Sequence, residues 1–166
     1  MSAALIVDLL LDPAAQQRFD DLRAAHFPPE RLVVGAHVTL FHALPGERVG
    51  DVRRALALAA DRPPFAVAVT GLRFLGRGVA FDLAAPELTA LRADVAAEFA
   101  ADLTPQDRQW RHPHVTVQNK VAPDAARALH AQLSAGFTRW TATARGLGLW
   151  HYRGGPWELD AEFPFR

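Results

Sequence analysis

The chain of 166 residues predicts an α+β fold of two similar lobes. Each lobe is expected to carry a mainly antiparallel sheet, the two sheets facing a central cleft with helices outside. Three observations lead there. A short pattern occurs twice, as His37-Val38-Thr39-Leu40 and His114-Val115-Thr116-Val117. Its surroundings recur too: the aromatic, alternating run Phe65–Leu72, ending Gly71-Leu72, resembles Trp140–Leu147, ending Gly146-Leu147. Pro13 and Pro86 each open a helical stretch. The three offsets are 77, 75 and 73 residues, in one order, which marks an internal duplication. Strands alternating with helices alone suggest parallel βαβ units. The duplication points instead to a single domain over residues 1–166, made of pseudo-repeat lobes at about 1–75 and 76–166, each motif strand lying in the interior of its own sheet.

Each half reads strand, helix, motif strand, helix, strand. Ala3–Leu11 is a continuous apolar run and predicts a buried strand. Asp12 is an N-cap with Pro13 at the first helical position, and the helix runs to about His26 before Pro28-Pro29. Ala36–His42 is the first motif strand. Pro45-Gly46 turns into a helix from about Val49 to Ala60, and Pro63-Pro64 leads to the strand Phe65–Leu72. Gly76-Arg77-Gly78 is a turn, followed by the strand Val79–Leu83 and the helix Pro86–Ala100. The polar stretch Asp102–Arg111 reads as a crossing connection to the second motif strand, His112–Val121. Pro123 opens a helix to about Ser134. Trp140–Trp150 and Trp157–Phe165 form a closing hairpin around Arg153-Gly154-Gly155-Pro156.

Composition excludes several classes. Half of the residues are hydrophobic, which suffices for a sizeable core. Formal net charge is zero, which argues against coating long nucleic acid by charge alone; no DNA, membrane or protein partner is expected. A pocket for one or two phosphates stays open. Cysteine is absent, so disulfides and thiolate chemistry are ruled out. Lys120 is the single lysine among 18 basic residues, and the arginine excess reads as a base-composition bias. The apolar N-terminal run is too short for a membrane span and lacks a leader pattern, so a cytoplasmic location is expected.

Residues i and i+2 of a strand share a face. His37 therefore points with Thr39, and His114 with Thr116, while the apolar residues between them enter the core. A histidine beside a hydroxyl, presented twice, reads as half an active site made twice. By the same parity Phe41 continues the His37 face and Gln118 the His114 face, and both are candidate cleft linings. Tyr152 and Trp157 are candidates for stacking on a base. His42 has the opposite parity and reads as structural, as do His26, His130 and His151, which lack counterparts. His112 shares parity with His114 and reads as part of the cleft rim; with His37 the pair would make three ligands for a metal. No carboxylate in either motif completes a hydrolytic zinc site.

The paired His-x-Thr-x strings, with the duplicated lobes around them, resemble the 2H phosphoesterase superfamily, which includes 2′-5′ RNA ligase-like proteins and cyclic nucleotide phosphodiesterases. The closing hairpin, from Trp150-His151-Tyr152-Arg153 to Trp157-Glu158-Leu159, is similar to that family's aromatic-bearing last strands. The resemblance implies His37, Thr39, His114 and Thr116 as catalytic residues, no metal or other cofactor, and an RNA end or small nucleotide as substrate. It also implies hydrolysis of a 2′,3′-cyclic phosphate to a 2′-phosphate, or 2′-5′ RNA ligation. The alternative from another class is a non-catalytic RNA- or nucleotide-binding module. The residues suit the chemistry. Substitution at phosphorus needs one proton removed and one delivered, and two imidazoles with ordinary pKa values of about 6.5 can do both. Threonine hydroxyls can donate to the non-bridging oxygens. Which histidine is acid and which is base is open at this level.

Overall fold

The computed structural model describes residues 3–166. Its elements are β1 (Ala4–Leu11), α1 (Pro13–His26), β2 (Val38–Leu44), α2 (Val49–Ala59), β3 (Phe65–Phe74), β4 (Val79–Ala84), α3 (Pro86–Glu98), α4 (Pro105–Arg108), β5 (His114–Gln118), α5 (Pro123–Ala135), β6 (Trp140–Tyr152) and β7 (Glu158–Pro164). The order of elements is the predicted one, with one addition. The stretch read as a plain crossing connection contains α4, capped by the Thr104 hydroxyl, which accepts from the Asp107 amide at 3.2 Å.

All strand pairs are antiparallel, in the order β2-β1-β6-β3-β4-β5, with β7 also on β6. The fold is the expected α+β arrangement. Its two sheets are hydrogen-bonded into one curled sheet along the long strand β6. The first part of β6, Trp140–Ala144, pairs with β3, while Gly146–His151 lies between β1 and β7. The motif strands differ from expectation in one respect. They are not interior strands: β2 and β5 are the two ends of the strand order, and they approach one another. Each unpaired edge has to be satisfied by something other than a strand.

The apolar run of β1 resolves into two faces. Leu5, Val7, Leu9 and Leu11 enter the main core with Phe19, Leu56, Leu88 and Phe99. Ile6, Asp8 and Leu10 lie on the opposite face, against the cavities described below. Helices α1 and α5 pack on the β3-β4-β5 side, and α2 packs against α3. Asp12 caps α1 by accepting from the Ala15 amide at 3.1 Å, and its second oxygen accepts from the Thr143 amide at 2.8 Å. Gly148 is required by a close approach. A Cβ there would lie 2.3 Å from the Asp8 carboxylate and 2.8 Å from the Trp150 indole nitrogen, which hydrogen-bond across the strand. No helix among the described residues is long and apolar enough to cross a membrane.

Candidate active site

His37, Thr39, His114 and Thr116 line one cavity of about 190 Å³. Both imidazoles are anchored in the same way. The His37 Nδ1 lies 2.8 Å from the Gly35 carbonyl, and the His114 Nδ1 lies 2.8 Å from the His112 carbonyl, in each case the residue two positions back. A carbonyl only accepts, so Nδ1 carries the proton and Nε2 is left for the cavity. The duplication thus extends from sequence to the tautomer of each ring.

The two histidines differ in setting. Burial draws the His37 pKa down to about 4; the Gly35 hydrogen bond opposes this, and Arg23, His114 and His42 add to it. The unliganded His37 is therefore neutral at ordinary pH. The Arg23 guanidinium sits behind the motif strands, buried, donating to the Val34 carbonyl at 3.1 Å and the Thr116 carbonyl at 2.7 Å. It ties the approach to β2 to the β5 edge. Arg92 does the matching task on the other side, donating to the Leu40 carbonyl at 3.0 Å and the Asp107 carbonyl at 2.7 Å. Neither residue was visible in an arginine-rich composition. A buried guanidinium with this geometry is specified by partners far away in sequence.

Simple alternation is interrupted one residue after Thr39. In the β1–β2 ladder Asp8 pairs with Thr39 but Val7 with Phe41, so Leu40 is an extra residue. In the β4–β5 ladder Ala80 pairs with Thr116 but Val79 with Gln118, so Val117 is extra. Both bulges fall three residues after the motif histidine, and a bulge reverses which face the next residues show. Phe41 is accordingly fully buried in the core beneath the Arg92 guanidinium, not on the cleft face. Gln118 is also buried and outside the cavity lining, with its side-chain oxygen unpartnered. His42 moves the other way and lines the cavity.

Trp157 closes the cavity from the hairpin, its ring 4.5 Å from that of His37. Tyr152 is exposed and outside the lining. Trp110, from the segment after α4, lines the cavity and donates to the Thr39 carbonyl at 3.0 Å. His112 contributes its carbonyl to the anchoring of His114. Among the described residues no three His, Asp or Glu side chains are arranged to hold a metal ion, so His37, His112 and His114 do not form a ligand set.

A second cavity of about 240 Å³ adjoins the first across His37 and Trp157, and Asp8, Arg145 and Trp150 line it. Burial raises the Asp8 carboxyl to about 6, against the hydrogen bond from Trp150. A raised carboxyl favours the folded state fully below its unfolded pKa and less as pH rises through about 6. A shift of this size corresponds to about 3 kcal/mol. Asp8→Asn, which keeps an acceptor for Trp150, is expected to be more stable than the parent at pH 8 but not at pH 4. Denaturant melts at the two pH values check this, and equal differences at both would contradict it.

Comparison with known proteins agrees with this geometry. The chain belongs to the 2′-5′ RNA ligase superfamily, a group of 2H phosphoesterases, whose family model matches residues 11–156. Among solved structures it is similar to TT0787 of Thermus thermophilus, with a TM-score of 0.69 and 15% identity over 98% of each chain. It is also similar to E. coli LigT complexed with 3′-AMP, with a TM-score of 0.62 and 19% identity over 99% of each chain. LigT complexed with NADP+ gives 0.58 and 21%, over 99% of both chains. At these identities the likeness is one of fold. A search of curated proteins finds no match.

Proposed function

We propose that this chain is a cytoplasmic, metal-independent phosphodiesterase that opens 2′,3′-cyclic phosphates at RNA ends or on small nucleotides by two-histidine acid–base catalysis. The observation that carries the reading is the matched pair of imidazoles, each with Nδ1 committed to a carbonyl, in one cavity with two threonines. LigT complexed with 3′-AMP and with NADP+ supports a nucleotide as the ligand class. Water attacks phosphorus, its proton passing to one histidine. The P–O3′ bond breaks, and the other histidine protonates O3′, leaving a 2′-phosphate. His37, neutral when unliganded, is the base in this direction, and His114 is the acid. Thr39 and Thr116 donate to the non-bridging oxygens. With a 5′-hydroxyl in place of water as the attacking group, the same steps form a P–O5′ bond as P–O3′ breaks and give a 2′,5′ linkage, the ligase reading that the superfamily's description favours.

The test is turnover of a panel of 2′,3′-cyclic nucleotides and 2′,5′-linked dinucleotides with chelator present. Failure on every substrate, with nucleotide binding retained, would favour a binding module. Loss of rate on chelation, restored by zinc, would overturn the metal-free scheme. Two expectations refine it. Thr39→Val and Thr116→Val keep shape but lose a donor to a charged oxygen, and each is expected to reduce kcat by about 10- to 100-fold. The pH profile of kcat/KM reports the free enzyme. With His37 as base, its acid limb should fall near pH 4, well below the usual histidine range, because protonation below that point removes the base. An acid limb near 6.5 would reassign the base.

A further inference from the structure

We infer that His42 is a third substrate-binding histidine of this cleft, held by a buried Asp107 and donating through Nε2 to a phosphate oxygen. The inference deepens the reading above and rests on it for the ligand class. Four observations carry it. His42 lines the same cavity as His37 and His114. Its Nδ1 lies 3.0 Å from the Asp107 carboxylate, a side chain with no solvent exposure. That leaves Nε2, across the ring, for the open side. Asp107 is itself rigidly placed: it accepts from the His42 amide at 2.8 Å and the Ala43 amide at 3.0 Å.

The third observation is the backbone. The β2 ladder gains a second extra residue between Phe41 and Leu44, where Leu5 pairs with Leu44. The amides of His42 and Ala43 at that irregularity turn to one carboxylate. The fourth is a break in the duplication. The position that matches His42 is Asn119, one residue past β5, which is outside the cavity lining and accepts from the adjacent Lys120 amide. One end of the cleft therefore has an imidazole–carboxylate pair that the other lacks.

The chemistry of the cavity gives the pair a role. Neither arginine nor lysine lines it, so no permanent cation meets a bound phosphate there. A ring flanked by the Asp107 carboxylate and a phosphate can carry a proton on each nitrogen and bridge the two anions. The charged and titratable groups around it are His37 and His114 across the cavity, Asp107 on Nδ1, and Arg92, which binds the Asp107 carbonyl. A hydrogen bond to a charged partner is worth about a 10- to 100-fold change in affinity.

The substitution His42→Asn separates folding from binding. Its amide nitrogen can take the place of Nδ1 and keep Asp107 paired, while nothing replaces Nε2. His42→Gln does the converse, returning a donor near the Nε2 position. Binding of adenosine 2′-monophosphate, followed by titration calorimetry, is expected to weaken at least tenfold in H42N and to recover partly in H42Q. KM for a 2′,3′-cyclic nucleotide should rise more than kcat falls, unlike the histidine variants of the motifs. Affinity within twofold of the parent in a folded H42N protein would overturn the inference and leave the phosphodiesterase reading standing. Weaker binding by H42N, together with no turnover of any cyclic substrate by the parent, would leave His42 as a phosphate ligand and overturn the phosphodiesterase reading. No binding of the nucleotide to the parent would overturn the role of His42. Should H42N melt early, H42Q against H42F supplies the same contrast.

Discussion

His37→Ala and His114→Ala are each expected to lower turnover of a 2′,3′-cyclic phosphate by about 10²- to 10⁴-fold, the usual contribution of one general acid or base. Both variants should still fold. Each ring is half-buried at the cavity wall, and its one internal hydrogen bond goes to a carbonyl of its own strand approach. The backbone ladder on either side is untouched, so thermal unfolding should shift little. The two effects should not add. Proton removal and proton delivery belong to one displacement, and the double variant should be little worse than the weaker single one. Steady-state kinetics on the three variants, with circular dichroism as the folding control, decides it. Unchanged turnover in either single variant would sink the acid–base assignment.

Asp107→Ala is expected to be among the most destabilising single changes in the chain, by about 3–5 kcal/mol, because it strands several buried donors at once. Asp107 is wholly buried and accepts from two backbone amides of β2 and from the His42 ring. On the edge strand those amides have no ladder partner to fall back on. Burial alone would raise this carboxyl; the hydrogen bonds from the His42 ring, His42 amide and Ala43 amide outweigh it and hold the group below the usual carboxylate value. A lowered carboxyl contributes stability above its unfolded pKa and loses it as pH falls through the folded one. The penalty should therefore be largest near neutrality and shrink in acid. For a chain of this length it corresponds to a drop in Tm of roughly 10 °C. A variant melting within a degree or two of the parent would mean that the β2 edge is held by something else. The expected loss would also move the α4 segment, which carries Trp110 onto the Thr39 carbonyl.

Much of the architecture was legible because it rests on local signals. Alternation, Asp12 before Pro13, the Pro28-Pro29 break and the glycine turns mark element boundaries to within a few residues of those observed. The parity of His37 with Thr39, and of His114 with Thr116, needs only the pleat, and these four side chains line one cavity. The duplication predicted that two such strands would face one another. It also hid something, since repeated motifs encourage the belief that the whole face repeats.

What the sequence by itself determined was the α+β fold, the order of its elements and the four residues of the paired motifs. The elements and the parity of the motifs follow from periodicity, capping and turn chemistry, which act over a few neighbours, and the fold class from the duplication of those elements along the chain. Only the tertiary structure decided which residues beyond Thr39 and Thr116 reach the cleft. The reason is the bulge in each motif strand: one extra residue reverses the face, sending Phe41 into the core and His42 to the cavity. A bulge has no signature in the alternation of four or five residues. On β2 the irregular backbone is held by Arg92 on the Leu40 carbonyl and by Asp107 on the His42 and Ala43 amides, partners more than fifty positions away. Contacts over that separation exist only once the chain has closed on itself.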